Sequence, residues 1–204
     1  EKGSDPLTDQ LKGECYFLRA FATHCLVRLF ARPYSVANGT LPGVILRESS
    51  GDGSPKPRAT LAETYDYIIS SLKMAASLMS AEPPEVRNNR GFASKYSAWA
   101  LLSRVYLYMG DYENTIAYAD SVINSGVFSL ETADAYPGYF AKAVNEPETI
   151  WCIPFLAVDD KKEAAVASMI FNGANCWGEE GASPSILKEM GFGTDMMTID
   201  ARWQ

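Results

Sequence analysis

The clearest hydrophobic pattern of the chain lies between residues 90 and 126. Apolar and small residues recur there at helical spacing in two runs: Ala98, Leu101, Leu102, Val105, Tyr106 and Met109, then Tyr112, Ile116, Ala119 and Ile123. Gly110 and Asp111 separate the runs, and Gly126 follows the second. The pattern predicts a helical hairpin in which Gly110 ends the first helix, Asp111 caps the second and Gly126 closes it.

The sequence of this hairpin, A-L-L-x-x-V-Y-L-Y-x-G-D-Y-E-x-x-I-x-Y-A, resembles a tetratricopeptide unit. In such a unit, small residues let two antiparallel helices approach closely and aromatic residues fill the remaining gaps. Scaffolds, chaperones and receptors all use hairpins of this kind, so the motif alone does not select a function.

A second amphipathic pattern runs from a cap at Thr8 or Asp9 to about Phe30. Phe17 and Phe21 widen its apolar stripe, so we expect this helix to be buried on more than one side. We interpret His24, beside the stripe, as a core or boundary histidine, because no nucleophile or carboxylate partner is suggested nearby. The stripe consists of Leu11, Cys15, Leu18, Ala22, Cys25 or Leu26, and Leu29.

A third helix is predicted from Thr60 to about Met79, where Thr60 and Glu63 form a capping box. Its predicted apolar face consists of Leu61, Tyr65, Ile68, Ile69, Leu72, Ala75, Ala76 and Met79. It should pair with the first helix, which gives four helices in two hairpins. Residues 31–59 lie between the first and third helices and are rich in Gly, Pro and Ser around Val44-Ile45-Leu46. A long loop of this kind is either functional or a mobile insertion.

The hydrophobic pattern changes after Gly126. Residues 127–148 are loop-like and aromatic, Thr149 to Phe155 predicts a short strand, and Ser183-Pro184 predicts the start of a short helix through Met190. We therefore expect one domain over residues 1–204, with a helical scaffold in 1–126 and a loop-rich part in 127–204.

Composition excludes several function classes for this chain of 204 residues. With 47% hydrophobic residues it can bury a sizeable core, and a net charge of −7 without a Lys/Arg cluster argues against nucleic acid as a partner. No run of about 18 uninterrupted apolar residues predicts a membrane span. Because the chain starts at Glu1 without an initiator Met, we expect a processed chain or a segment of a longer protein, with any export signal or lipid anchor upstream.

The four cysteines and the single histidine have no metal-ligand spacing, so we expect no metal and no other cofactor. Buried structural thiols are the expectation for the cysteines, since Cys is among the most buried residue types. They are Cys15, Cys25, Cys152 and Cys176.

The whole chain resembles the SusD/RagB family of outer-membrane nutrient-uptake lipoproteins of Bacteroidetes. The strongest block is G-E-C-Y-F-L-R-A-F with L-V-R-L-F after it; the other blocks are 58–72, 90–112, 145–151 and 183–202. Three departures from the family pattern are Ala31-Arg32-Pro33 where a glycine commonly precedes the proline, Ser71 where Asp is favoured, and Thr115 where a tetratricopeptide unit prefers Ala.

This resemblance implies a mainly α fold, an α–α superhelix of tetratricopeptide-like hairpins with long loops and a short strand or two in the C-terminal part. Family members are longer, so the chain corresponds to a central fragment. The resemblance also implies capture of a glycan at the cell surface and delivery to a TonB-dependent, SusC-like outer-membrane transporter, without catalysis. Membrane attachment would be only through a lipid anchor upstream of this chain.

Sugars bind to aromatic faces with polar side chains nearby, on loops that a scaffold supports. Trp177, in a Gly-rich loop with Asn172 and Asn175, is the first candidate for the ligand site, and a Trp folded over the core edge is the alternative. Further candidates are Tyr34, Tyr136 and Tyr139, whereas Trp99 and Trp151 are assigned to the core.

Three other functions stay open. A protein–protein scaffold would use the helical hairpins, and a receptor for a non-glycan nutrient such as a peptide would use the same loops. A glycan hydrolase would need two carboxylates across a cleft, for which Glu179-Glu180 is the one paired acidic site in a plausible loop. Adjacent acids on a turn are usually solvated charge, so the sequence predicts no enzyme.

Overall fold

The computed structural model describes residues 5–49, 51, 53–81, 89–142, 144, 146–154, 157–159 and 181–191. Within these ranges the chain is mostly helical and has no β-strand, which confirms the predicted mainly α fold. Two short 3₁₀ helices cover Tyr34–Val36 and Ala157–Asp159. The α-helices are α1 (Pro6–Phe30), α2 (Leu61–Leu78), α3 (Lys95–Met109), α4 (Tyr112–Ile123), α5 (Tyr136–Lys142) and α6 (Pro184–Glu189).

The chain divides into two compact units. The first comprises Glu1–Ser129 and Pro147–Cys152, and holds α1 to α4; the second comprises Leu130–Glu146 and Ile153–Gln204, and holds α5 and α6. That both belong to one domain stays a prediction.

Local sequence signals fix where the helices begin and end. The capping box of Thr60 and Glu63 is formed as predicted, with Glu63 N donating to Thr60 Oγ1 at 3.2 Å and Thr60 N donating to the Glu63 carboxylate at 2.8 Å. Gly110 adopts φ 81°, a left-handed conformation that suits glycine, and the Asp111 side chain accepts from Asn114 N at 3.1 Å. The predicted hairpin of α3 and α4 is therefore confirmed.

The start of α1 differs from the prediction by one turn. Asp5, not Thr8 or Asp9, is the N-cap, since its carboxylate accepts from Thr8 N at 3.3 Å. Pro6 follows at the first helical position, where its fixed φ and missing N–H cost nothing.

The two inner helices bury the faces that their patterns predict. On α2 the buried apolar residues are Leu61, Tyr65, Ile68, Leu72, Ala75 and Ala76, and on α3 they are Ala98, Leu101, Leu102, Val105 and Tyr106. Together with Phe17, Ala20 and Val27 of α1, they form the core of the first unit.

The predicted stripe of α1 was wrong, because it lies on the exposed side of the helix. Leu18 and Leu29 are 50% and 76% exposed, whereas the side packed on α2 carries Gly13, Phe17 and His24. Gly13 explains why this side of α1 faces α2. A Cβ at this position would clash with the Met79 side chain and come within 3.2 Å of the Ala75 carbonyl oxygen. The helices thus approach closely along the small residues of α1, and most of the larger aliphatic residues face outwards.

The predicted stripe of α4 was wrong in the same sense. Tyr112, Ile116 and Ile123 are all more than half exposed, while Val122 is buried. Tyr118 stacks on Tyr106 with ring centroids 5.7 Å apart, so α4 packs on α3 through a face rotated from the one predicted.

The segment between α1 and α2 is tied to the start of α2. Four backbone hydrogen bonds join residues 39–44 to residues 59–62, among them Gly43 N to Ala59 O at 2.6 Å and Leu61 N to Leu41 O at 2.7 Å. Val44 enters the core, and an isolated β-bridge pairs Pro42 with Thr60. Residues 39–44 are thus held on the scaffold, and a function for the loop stays a prediction.

The short strand predicted from Thr149 is not formed in residues 149–154, and Phe155 lies outside the described residues. Cys152 N donates to Arg90 O at 2.9 Å, but this single bond does not continue into a ladder. The apolar run instead places Trp151 edge-on against Phe17 and Phe21, with centroids 5.0 and 5.1 Å apart. Trp151 and Trp99 both pack against the core, as predicted.

The expectation of buried thiols was wrong for Cys15, which is exposed, while Cys25 and Cys152 are partly buried; all three are free thiols. Cys176 lies outside the described residues. Within the described ranges, none of the helices combines the length and hydropathy that crossing a membrane requires.

Candidate functional site

Several residues predicted for a site lie outside the described residues. These are Trp177, Asn172 and Asn175, together with the paired acids Glu179 and Glu180. Their proposed roles stay predictions from the sequence.

Tyr34 begins the 3₁₀ helix after α1 and packs on the scaffold. Its ring meets that of Tyr65 edge-to-face, with centroids 5.0 Å apart, and it is partly buried. A Cβ on Gly39 would come within 2.9 Å of the Tyr34 hydroxyl, so the loop closes over this ring. Tyr34 therefore supports Tyr65 more than it offers a free aromatic face.

Tyr136 and Tyr139 come together in the second unit, on the short helix α5. Their rings are nearly parallel, at 7°, with centroids 6.4 Å apart. Phe140 completes the cluster, edge-on to Tyr136 at 5.8 Å and to Tyr139 at 5.1 Å, and is itself 71% exposed. These three side chains, which we call the α5 aromatic cluster, present apolar ring surface to solvent on a short helix.

Phe140 was missed from the sequence, although the signal was present. Aromatic residues at positions i, i+3 and i+4 share one side of a helix, and Y-P-G-Y-F has that spacing. The prediction of a loop over residues 127–148 was therefore wrong for Tyr136–Lys142, which form α5, because Pro137 lies in the first turn, where Pro is tolerated.

A cavity lies in the first unit, at the C-terminal end of α1. It is a cavity of about 460 Å³ whose polar lining consists of Arg28, Arg32, Tyr65 and Tyr108. We call it the arginine–tyrosine cavity. The Arg28 guanidinium lies over the Tyr108 ring, 4.9 Å from its centroid, a favourable cation–π contact.

His24 is packed behind two walls of this cavity. Its ring is edge-on to Tyr108 at 5.2 Å and to Tyr65 at 6.3 Å, and the residue is 1% exposed. Within the described part of the chain neither ring nitrogen has a hydrogen-bond partner. Burial, with the positive charges of Arg28 and Arg104, lowers the pKa of His24 to about 4, so the imidazole is neutral at pH 7.

The same surroundings raise the pKa of Tyr65, mainly through burial and the nearby Tyr108. Tyr65 therefore keeps its phenolic proton at physiological pH. Among the described lining residues, positive charge comes from the guanidinium groups of Arg28 and Arg32, and the tyrosines add aromatic rings.

The described residues bring aromatic rings together on α5, and arginines and tyrosines together at the end of α1. No cluster of three or more His, Cys, Asp or Glu side chains among them could hold a metal ion. Aromatic faces and guanidinium groups suit the recognition of sugars and of anions, respectively. The sequence did not single out Arg28, Arg32 or Tyr108, because only the packing of α3 beside α1 brings Tyr108 to the two arginines.

Comparison with known proteins gives one family. Residues 1–107 match the model of a SusD-like family described as starch-binding and associating with the outer membrane. A SusD-like protein of Formosa agariphila is 32% identical over 113 residues, which are 55% of this chain and 20% of that protein.

Solved structures agree with this match. A SusD superfamily protein of Bacteroides vulgatus is 31% identical with a TM-score of 0.73, covering 84% of this chain and 39% of its own. A candidate sugar-binding protein of the same species is 30% identical with a TM-score of 0.72, covering 87% and 40%. A SusD superfamily protein of Bacteroides thetaiotaomicron is 30% identical with a TM-score of 0.69, covering 78% and 34%.

The chain thus spans 20% of its curated relative and between 34% and 40% of these three solved structures. The match to the family model covers more than half of the residues of this chain. The chain belongs to the SusD-like family.

Proposed function

We propose that this protein captures glycan at the cell surface and delivers it to a partner TonB-dependent, SusC-like outer-membrane transporter, without catalysing a reaction. The observation that carries the proposal is the α5 aromatic cluster, in which Phe140 is 71% exposed beside two nearly parallel tyrosine rings. Exposed aromatic faces stack on the C–H surface of pyranose rings, and the family model is described as starch-binding.

The loop that holds Trp177 is the second part of this proposed site. In the sequence, Asn172 and Asn175 precede Trp177 and could donate to and accept from sugar hydroxyl groups. A lipid anchor upstream of the chain would hold the protein on the outer leaflet of the outer membrane, in agreement with the family description of outer-membrane association.

Calorimetric titration of the intact protein against a panel of plant and host polysaccharides tests glycan capture. Trp177→Ala and Tyr139→Ala are each expected to weaken binding by at least tenfold. Each substitution removes an aromatic ring and with it most of the area that would contact the sugar. Tyr112→Ala is the matched control, because Tyr112 is an exposed tyrosine of the first unit, outside the proposed site.

Each outcome of this titration is informative when melting temperatures are unchanged. Equal affinity in Trp177→Ala, Tyr139→Ala and wild type would move the site elsewhere. No binding to any polysaccharide, with binding to a peptide library, would replace the glycan by a peptide nutrient. Release of reducing sugar during prolonged incubation would contradict the non-catalytic role.

A protein–protein scaffold is the second candidate, and the outward rows of α1 and α4 favour it. Leu18, Leu26 and Leu29 on α1 are each about half exposed or more, as are Ile116 and Ile123 on α4. Affinity purification of the intact protein from membranes tests both roles: a transporter that copurifies supports delivery, and loss of that transporter with Leu18→Gln would place the contact on α1.

A further inference from the structure

We infer that the arginine–tyrosine cavity binds the anionic substituent of an acidic sugar, a carboxylate or a sulfate ester. This inference rests on the proposed glycan capture and adds a chemical class of ligand to it. The cavity lies in the first unit and shares no residue with the α5 aromatic cluster.

The first argument is unneutralised positive charge. Arg28 and Arg32 line the cavity, and Arg104 lies near enough to His24 to lower its pKa. Within the described part of the chain none of these three arginines forms an ion pair with a carboxylate. The whole chain carries a net charge of −7, so a cavity whose described lining holds two arginines and no acidic residue departs from the average of the protein.

The second argument is the geometry of the donors. Arg28 and Arg32 are four residues apart across the end of α1, so two planar guanidinium groups border one cavity. Guanidinium matches a carboxylate or a sulfate by paired N–H···O bonds and is weakly hydrated, which makes Arg suited to hold an anion at a partly desolvated site.

The third argument concerns the end of α1, where the helix dipole would oppose an anion. Arg58 offsets this effect, because its Nη2 donates to the Phe30 carbonyl oxygen at 2.7 Å and its Nε donates to the Gly43 carbonyl oxygen at 2.6 Å. One orphan carbonyl of the last turn is thereby satisfied, and a further guanidinium is held at the same end of the helix.

The fourth argument is the aromatic wall, which distinguishes an acidic sugar from a simple ion. Tyr108 is 43% exposed with the Arg28 guanidinium over its ring, and Tyr65, which is 3% exposed, is held by Tyr34 and His24, so the wall of the cavity places aromatic rings beside the arginines. A volume of about 460 Å³ falls in the range of small-molecule sites and accommodates a monosaccharide unit.

The experiment uses the intact protein and a pair of probes that share their sugar rings and differ in charge. Trigalacturonate is titrated beside its fully methyl-esterified form, which keeps the sugar ring and removes the charge, and a sulfated carrageenan tetrasaccharide forms the sulfate arm. The variants are Arg28→Gln, Arg32→Gln and Arg28→Lys. The control is Lys73→Gln, because Lys73 is exposed on α2 and its substitution removes one positive charge outside the cavity.

The expected result is binding of at least one anionic probe that weakens tenfold or more in Arg28→Gln and in Arg32→Gln, and by twofold or less in Lys73→Gln. Arg28→Lys should retain an intermediate affinity, and wild-type affinity should fall as NaCl rises from 50 to 500 mM, since salt screens exposed charges. The arm that binds identifies the substituent as carboxylate or sulfate.

Three results would overturn the inference. Equal affinity for trigalacturonate and its ester would show that the carboxylate charge does not contribute to binding. Wild-type affinity in both Arg28→Gln and Arg32→Gln would place the anion elsewhere. Binding of neutral polysaccharides but of neither anionic probe would reject the acidic sugar while leaving glycan capture intact. Failure of every glycan, neutral and anionic, would reject both.

Discussion

The inner helices α2 and α3 and the outer helices α1 and α4 carry hydrophobic patterns of similar quality, yet only the inner pair buries them as predicted. On α2 and α3 the predicted residues Leu72 and Leu102 are fully buried. On α1 and α4 the predicted residues Leu29 and Ile123 are 76% and 69% exposed. Periodicity reports which face of a helix is apolar, and the neighbouring helix decides which face is buried.

The difference has a physical cause in side-chain size. On α1, Gly13 and Ala20 allow the backbone to approach α2, and Phe17 and Val27 fill the space between the small positions. Packing density is therefore gained on the side with mixed small and large residues. The more uniform leucine row faces away.

The largest effect should come from opening the inner core. Leu72→Ala removes a fully buried side chain, and we expect a loss of about 3 kcal/mol in the free energy of unfolding, from lost burial and the cavity left behind. Leu18→Ala, the same change at a half-exposed position of α1, should cost less than about 1 kcal/mol. Urea denaturation followed by circular dichroism measures both, and equal losses would contradict the distinction between inner and outer faces.

The next effect depends on pH and lies at the boundary of α1 and α3. The folded-state pKa of His24 is about 4, below its ordinary value of 6.5, so the unfolded chain takes up a proton that the folded chain resists. The free energy of unfolding should fall by about 2 kcal/mol from this residue between pH 7 and pH 5 and level off below pH 4.

His24→Leu isolates this contribution, because it removes the titrating group and keeps an apolar side chain among Tyr65, Tyr108 and Val27. Urea midpoints of wild type and variant from pH 7 to pH 4 should diverge below pH 6.5, with the wild type losing more stability. Parallel curves would mean that His24 titrates equally in both states.

A smaller effect tests the close approach of α1 and α2. Gly13→Ala should lower the free energy of unfolding by about 1 kcal/mol, because overpacking against the Met79 side chain outweighs the better helix propensity of alanine. The same substitution in a Met79→Ala background should cost less, since the contact that it crowds is then absent. Additive losses in this double-mutant cycle would show that the two positions do not crowd each other.

The sequence predicts the helix ends and the buried face of α2, but not the orientation of α1 and α4. The capping box at Thr60, the turn at Gly110 and Asp111, and the buried face of α2 follow from local chemistry, and the structure agrees with each. The orientation of α1 and α4 depends on contacts between residues far apart in sequence, such as Gly13 with Met79 and Tyr118 with Tyr106, which periodicity does not encode.

The candidate site divides in the same way. Tyr136 and Tyr139 were predicted from loop aromatics, and their pairing with Phe140 follows once α5 is helical. The cavity at the end of α1 could not be predicted, because it joins Arg28 and Arg32 to Tyr65 of α2 and Tyr108 of α3. Trp177 stays a prediction from the sequence.

The smallest effect concerns the outward row of α1 itself. Leu29→Gln changes a side chain that is 76% exposed, so the free energy of unfolding should move by less than about 0.5 kcal/mol. Val27→Ala, two residues earlier on the buried side, should cost more than about 1 kcal/mol. Thermal and urea unfolding of the intact protein measure both. A loss above 1 kcal/mol for Leu29→Gln would mean that another part of the protein or a partner covers this row. Repeating the measurement at several protein concentrations would separate the two, because only a separate partner or a second copy makes the loss concentration-dependent.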